Sequence, residues 1–206
     1  MIESLNTALR NEHLFVSATL RENGETIYLI SPDEPGFWAH VTASAEFADG
    51  ERHPLDRWSA RVIDPLAKAH GGRALYPFGE PRTSFVPLIL GSGQAFSSPI
   101  FFMVHARMGL MASYRGAIAV PGDHALLPEV SSPCLGCAAP CLAACPIGAF
   151  SEDGYDVKAC YAYLDGGQGD GCSSGGCLSR RACPVNAGYD RLPEQSAWHM
   201  RQRHIR

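Results

Sequence analysis

Eight cysteines are the residues of this chain whose type and spacing most clearly suggest chemistry. All of them lie within the 50 residues from Cys134 to Cys183, and the first 133 of the 206 residues contain none. A chain of this length can bury roughly 70% of its unfolded surface. It therefore does not need disulfide bridges to stay folded, as very small secreted domains do. The cysteines require another explanation.

The spacing of the cysteines indicates iron-sulfur clusters. The first set follows C-x2-C-x3-C-x3-C-P, and a second Cys-Pro pair closes the other set. Bacterial ferredoxins use C-x2-C-x2-C-x3-C-P, in which the cysteine before proline binds the other cluster. Here the middle gap is one residue longer. The two sets are Cys134, Cys137, Cys141 and Cys145, followed by Cys160, Cys172, Cys177 and Cys183.

The same crossover rule predicts how two 4Fe-4S clusters would share the eight thiols. Small Gly and Ala neighbours allow backbone N–H groups to approach the sulfurs, and apolar neighbours limit the access of water, which together influence the reduction potential. The predicted ligand sets are Cys134, Cys137, Cys141 and Cys183 for one cluster, and Cys145, Cys160, Cys172 and Cys177 for the other.

Three other uses of the cysteines remain open at this stage. Two structural zinc sites are one alternative, although a zinc site usually takes two well-separated ligand pairs. Disulfides in an oxidising compartment are a second, and one cluster with spare thiols is a third. Two oxidised clusters with their thiolates would add a charge of about −4. Arg180, Arg181 and the basic C-terminal tail can offset part of it, although a merely solvated tail is an equally good interpretation.

Charge and composition exclude several classes of protein. The formal net charge is −4, with 17 Lys and Arg against 21 Asp and Glu, which argues against a general nucleic-acid or anionic-membrane binder. The longest apolar runs fall far short of the roughly 20 residues of a membrane helix. The N-terminal sequence lacks the basic start and apolar run of a targeting segment. We therefore expect a cytoplasmic protein without a membrane or nucleic-acid partner; for the basic end, Trp198 to Arg206, a docking helix or a frayed tail is favoured over RNA contact.

Hydrophobic periodicity and turn residues predict an α+β fold, with an N-terminal mixed sheet and flanking helices followed by a small ferredoxin-like dicluster domain. The predicted domains are residues 1–125 and 126–206. The second is poor in large apolar residues, so metal binding would have to contribute to its folding. The predicted elements are a helix over Ile2–Leu9, a hairpin of Leu14–Leu20 and Thr26–Ser31, a helix that begins at Pro54 and is stopped by Gly71-Gly72, a strand over Ala74–Tyr76, and a second hairpin of Ile100–His105 and Leu110–Val120.

The cysteine segments also carry a family resemblance. CLGCAAPCLAACPIGAF, VKACYAYLD and GCSSGGCLSRRACPVN together resemble the dicluster module of epoxyqueuosine reductases. More loosely, WSARVIDPLAKAHGGRALYPFGEP, SPIFFMVHARMG and ASYRGAIAV resemble the cobalamin-binding domains of that family and of the CblC group. The resemblance implies a corrinoid held beside one cluster. The chain departs from the family in its C-x4-C-x5-C-P gaps and its missing catalytic acid, so epoxyqueuosine reduction itself is not expected.

A second group of residues is a candidate for binding a cofactor. His105, Arg107, Tyr114 and Arg115 lie on or beside the second predicted hairpin, just before the cysteines, where they can line a ligand pocket. The alternative is a surface turn with one buried tyrosine. Asp64 is a weaker candidate for a proton donor.

The sequence thus predicts an iron-sulfur redox protein. Electrons would come from a donor protein, pass through two 4Fe-4S clusters and reach a small-molecule acceptor held by the N-terminal domain, with a corrinoid as one candidate. The alternative is a ferredoxin-type adaptor with no cofactor or substrate site beyond the clusters. Whether the chain is an enzyme, such as a cobalamin-linked oxidoreductase, stays open.

Overall fold

The computed structural model describes residues 1–202, which divide into two compact units. The first unit consists of Met1–Ala95 and Ser113–Val130, and the second of Phe96–Ala112 together with the chain from Ser131 onward. The last four residues of the predicted basic tail lie outside the described residues. The strands are β1 Leu14–Glu22, β2 Glu25–Pro32, β3 Arg73–Leu75, β4 Ala95–Ser97, β5 Met103–His105, β6 Gly116–Pro121, β7 Phe150–Ser151 and β8 Gly154–Tyr155.

Helices accompany the strands in both units, so the predicted α+β class is confirmed. Those of the first unit are α1 Ile2–Leu9, α2 Gly36–Thr42, α3 Ala45–Ala48, α4 Pro54–Ala69 and α5 Phe85–Leu90. Those of the second unit are α6 Pro140–Ala143, α7 Val157–Asp165, α8 Asp170–Gly175, α9 Leu178–Arg181 and α10 Pro193–Arg201.

A four-stranded sheet in the order β1-β2-β6-β3 organises the first unit. β1 and β2 form the predicted hairpin, in which Asn23 and Gly24 have φ angles of 51° and 77°, as a tight two-residue turn requires. The prediction of a mixed sheet is wrong, because all three pairings are antiparallel. The central strands β2 and β6 are almost entirely buried, and Trp58 of α4 is fully buried.

The second predicted hairpin is wrong. Only Met103–His105 and Gly116–Pro121 are strands, and residues 110–115 between them are irregular. Their carbonyl groups are used differently: Leu110 accepts a hydrogen bond from the Arg180 side chain at 2.6 Å and Met111 accepts one from Arg191 at 3.2 Å. Long-range arginine contacts therefore replace the strand pairing that the local sequence indicated.

The core of the second unit combines two distant parts of the chain. Ile100, Val104 and Leu110 are almost fully buried and form one cluster with the buried Cys141. The compact units therefore do not follow the sequence boundary at residue 125, since 96–112 lies with the cysteines. This segment supplies apolar side chains that the cysteine-rich sequence lacks.

Candidate metal centre

The first group of cysteines surrounds an apolar pocket in the second unit. Cys134, Cys137, Cys141 and Cys183 all line this pocket, which contains about 380 Å³ of empty space, part of it open to solvent. Proline and aliphatic side chains form most of the remaining wall. Four thiols thus face a space that otherwise offers few polar partners.

Tight turns position three of these thiols. The backbone N–H of Cys137 donates to the Cys134 carbonyl at 3.2 Å, and Gly136 inside this turn has a φ of 72°, a conformation that favours glycine. Ala139 has a φ of 50° and immediately precedes α6, which carries Cys141. The C-x2-C-x3-C spacing therefore folds back on itself within eight residues.

The second group, Cys145, Cys160, Cys172 and Cys177, comes from four short segments. Cys145 follows α6, and Cys160 lies on α7. Cys172 lies on α8, and Cys177 immediately precedes α9. Burial raises the pKa of the Cys172 thiol, and the charges of the other three thiols raise it further. The four thiols are therefore close enough to interact electrostatically.

Backbone N–H groups donate to sulfur atoms in the second group. The N–H of Ala149 donates to Cys145 Sγ at 3.3 Å, and the N–H of Leu178 donates to Cys172, which by itself lowers the pKa of that thiol. Hydrogen bonds of this kind stabilise a thiolate more than a thiol. They suit sulfurs that carry negative charge.

Sequence reasoning missed one contact to the second group. The Tyr155 hydroxyl donates to the Cys160 thiol, and burial followed by this hydrogen bond raises the pKa of Tyr155. The ring of Tyr155 stacks on Phe150 with centroids 4.8 Å apart and meets Phe102 edge-on at 5.3 Å. The only signal in the sequence was an aromatic residue five positions before Cys160.

The two groups contain the same sets of four cysteines that the crossover rule assigned from the sequence. Cys183 lies with the first three cysteines of the chain, and Cys145 lies with the second set. Burial and the neighbouring thiols also raise the pKa of Cys134 and of Cys141. The roles of all eight as metal ligands stay a prediction.

Within residues 1–202, no three His, Cys, Asp or Glu side chains are arranged to hold one metal ion. A single tetrahedral ion with Zn–S bonds of about 2.3 Å needs sulfurs about 3.8 Å apart. In a 4Fe-4S cubane each thiolate binds a different iron, so the four sulfurs lie farther apart. The geometry required of a cluster site therefore differs from that of a one-ion site.

The four residues predicted to line a cofactor pocket fall in different units. His105 and Arg107 belong to the second unit, whereas Tyr114 and Arg115 belong to the first. His105 is 4% exposed, and its Nδ1 accepts hydrogen bonds from the backbone N–H groups of Arg107 at 3.0 Å and Met108 at 3.3 Å. His105 therefore shapes its own turn, and Tyr114 is a buried tyrosine at 7% exposure.

Asp64, the weaker candidate, forms a pair in the first unit. The Tyr76 hydroxyl donates to Asp64 Oδ1 at 2.8 Å, and the Tyr76 ring stacks on Phe78 with centroids 4.8 Å apart. Burial and this carboxylate raise the pKa of Tyr76.

No family model, curated protein or solved structure matches this chain. No helix in the described part of the chain combines the length and the apolar content that crossing a bilayer requires.

Proposed function

We propose that this protein transfers electrons through two 4Fe-4S clusters, one on each group of four cysteines, to an acceptor bound by the first unit. The observation that carries the proposal is the division of all eight cysteines into two interleaved groups of four. When bound, such clusters supply one-electron redox chemistry. A donor protein supplies each electron to the clusters, and the acceptor gains it from them.

The surroundings of the thiols support this assignment. Burial and mutual repulsion raise the pKa of Cys134, Cys141 and Cys172, so these groups favour the neutral thiol until a positive centre binds between them. Metal binding then releases protons and contributes its free energy to folding. Apolar walls around the first group limit water, one of the factors that set a cluster's potential.

The acceptor is the open part of the proposal. A corrinoid is suggested by the family resemblance alone, and of the residues predicted to contact it, His105 is engaged in its own turn. We therefore assign no step to a corrinoid. The second candidate function, an electron-transfer adaptor that docks on a partner enzyme, needs no such site.

Metal and sulfide analysis tests the clusters directly. Protein purified without oxygen should contain about eight iron and eight sulfide per chain, with a broad absorption at about 400 nm. Zinc without sulfide would contradict the proposal and would favour the structural alternative.

Single cysteine substitutions test the grouping. Cys134→Ser and Cys183→Ser should each remove the same cluster. About four iron atoms per chain and the EPR spectrum of the other cluster should then remain. Cys145→Ser and Cys172→Ser should instead leave the EPR spectrum of the first cluster. The control Ser174→Ala, at an exposed serine of α8, should retain both clusters. If Cys183→Ser left the same EPR spectrum as Cys172→Ser, the interleaved assignment would be refuted.

Cobalamin titration separates the two candidate functions. Adding the cluster-loaded protein to cobalamin should shift the corrinoid absorption if the first unit holds this acceptor. An unchanged spectrum at tens of micromolar protein would favour the adaptor.

A further inference from the structure

Arg180 differs from the other basic residues near the cysteines in its surroundings. It lies in α9, three residues after Cys177, so the two side chains can share one side of this turn. Its Nε donates to the Leu110 carbonyl at 2.6 Å, and its Nη2 contacts the Ala112 carbonyl at 3.5 Å. The neighbouring Arg181 is exposed.

The charge of Arg180 has no carboxylate partner in the described structure. It takes part in none of the salt bridges found within residues 1–202. Its side chain is bonded to neutral carbonyl groups, while burial lowers the pKa of the guanidinium and the Cys177 thiolate raises it. Arg180 is half-buried, and a guanidinium partly removed from water is stabilised by a negative charge that lies close to it.

Its position is also fixed. Hydrogen bonds to two carbonyl groups hold the guanidinium, and the Asn186 side-chain amide donates to the Arg180 carbonyl. These contacts favour one position of the charge. It can therefore act as a constant electrostatic influence on the second group of cysteines.

On the basis of the proposed function, we infer that Arg180 is the counter-charge of the cluster on Cys145, Cys160, Cys172 and Cys177 and raises its reduction potential. Reduction adds one negative charge to that site, and a nearby fixed cation stabilises the reduced form more than the oxidised form. In the absence of the arginine, the same cluster is harder to reduce.

EPR-monitored redox titration of cluster-loaded protein tests this inference, with Arg180→Gln, Arg180→Lys and the matched control Arg181→Gln. Arg180→Gln should lower the midpoint potential of the cluster that Cys172→Ser removes and leave the other midpoint in place. Arg181→Gln should leave both midpoints in place, because water and salt screen an exposed charge. Equal shifts in Arg180→Gln and Arg181→Gln, or no shift with full iron content, would overturn the inference.

The lysine variant decides the outcome if Arg180→Gln does not load its clusters. Arg180→Lys keeps the positive charge, so it should recover the iron content and a midpoint closer to that of the wild type. Failure of Arg180→Lys to recover either property would overturn the inference, because the positive charge would then not be what the cluster requires. A wild-type chain without iron and sulfide would refute the proposed function itself, an outcome that the wild-type analysis reveals before any variant is compared.

Discussion

The Tyr155 hydroxyl is a side-chain donor to a sulfur of the second group, that of Cys160. We predict that Tyr155→Phe lowers the midpoint potential of this cluster, because a hydrogen bond to a thiolate stabilises the more negative, reduced state. The phenylalanine ring can keep the stacking on Phe150, so the iron content should not change. Redox titration followed by EPR measures the shift.

Tyr163→Phe is the matched control for this prediction. Tyr163 lies on the same helix as Cys160 and is half-buried, so its substitution removes a hydroxyl without removing the Tyr155 hydrogen bond. A midpoint that is unchanged in Tyr155→Phe, or lowered equally in both variants, would contradict a specific role for the Tyr155 donor.

A pair of charges in the first unit makes stability depend on pH. Arg61 donates two hydrogen bonds to the Glu46 carboxylate and lowers the pKa of Glu46 from 4.5 to about 2. The pair therefore stabilises the fold fully above pH 4.5, and this contribution is lost as the pH falls towards 2. Arg61 is 55% exposed, so solvent screening limits the contribution to about 1 kcal/mol.

We therefore predict that Arg61→Met lowers the free energy of unfolding by about 1 kcal/mol at neutral pH. The difference in free energy of unfolding from the wild type should disappear as the pH falls from 4.5 to about 2, because protonated Glu46 no longer attracts Arg61. Urea denaturation at several pH values checks this. Arg82→Met, at an exposed arginine, should stay near the wild-type free energy throughout, and a pH-independent difference in Arg61→Met would indicate lost packing instead.

At the scale of elements, local signals predicted helices and the first hairpin well. Leu5 and Leu9 keep helical spacing in α1 and are both buried, and Pro54 opens α4 as its fixed φ allows. Asn23 and Gly24 sufficed for the turn between β1 and β2. In each case the decisive interaction lies within a few residues, so the sequence alone contains the information.

Elements that depend on distant partners were not predictable in this way. Residues 110–112 carry strand-like sequence, yet their carbonyls bond to Arg180 and Arg191, which lie far along the chain. Tyr155 gave no motif that marked it as a sulfur contact. By contrast, the grouping of the cysteines could be predicted because closely spaced thiols and a following proline restrict which sulfurs can meet.

Gly109 links the 96–112 segment to the chain after Cys183, and it allows a test of that packing without altering a cysteine. Its φ is 55°, and a Cβ there would lie 2.3 Å from Asn186 Oδ1 and 3.0 Å from the Asn186 backbone N. Gly109→Ala should therefore displace the turn after Cys183 and reduce the iron content of the first cluster. Metal analysis and EPR measure the loss.

Gly188→Ala is the control for this substitution, because a Cβ at Gly188 meets nothing within 4 Å. This variant should retain both clusters and the wild-type free energy of unfolding. If Gly109→Ala also retained both clusters, the contact with Asn186 would not be required for the first cluster.

The two units of the molecule are stabilised by different means. The first unit buries large side chains such as Trp58, Tyr28 and Phe37 around its sheet, which is the ordinary hydrophobic source of stability. The second unit has the smaller core of Ile100, Val104, Leu110 and Cys141, and two of its cysteines are buried. Sequence composition predicted this contrast, whereas the membership of 96–112 depended on long-range packing that composition does not encode.

Removal of the clusters should consequently affect the two units differently. After oxidation and chelation of the iron, we predict faster amide hydrogen exchange in residues 96–112 and from Ser131 onward, because cluster binding contributes to the folding of this unit. Residues 14–32 and 54–69 should keep their protection. Peptides from the 100–112 and 114–121 ranges give the sharpest comparison in mass spectrometry, since they adjoin in sequence but belong to different units. Equal loss of protection in both would mean that the chain unfolds as one cooperative body, and no loss in either would mean that the second unit folds without its clusters.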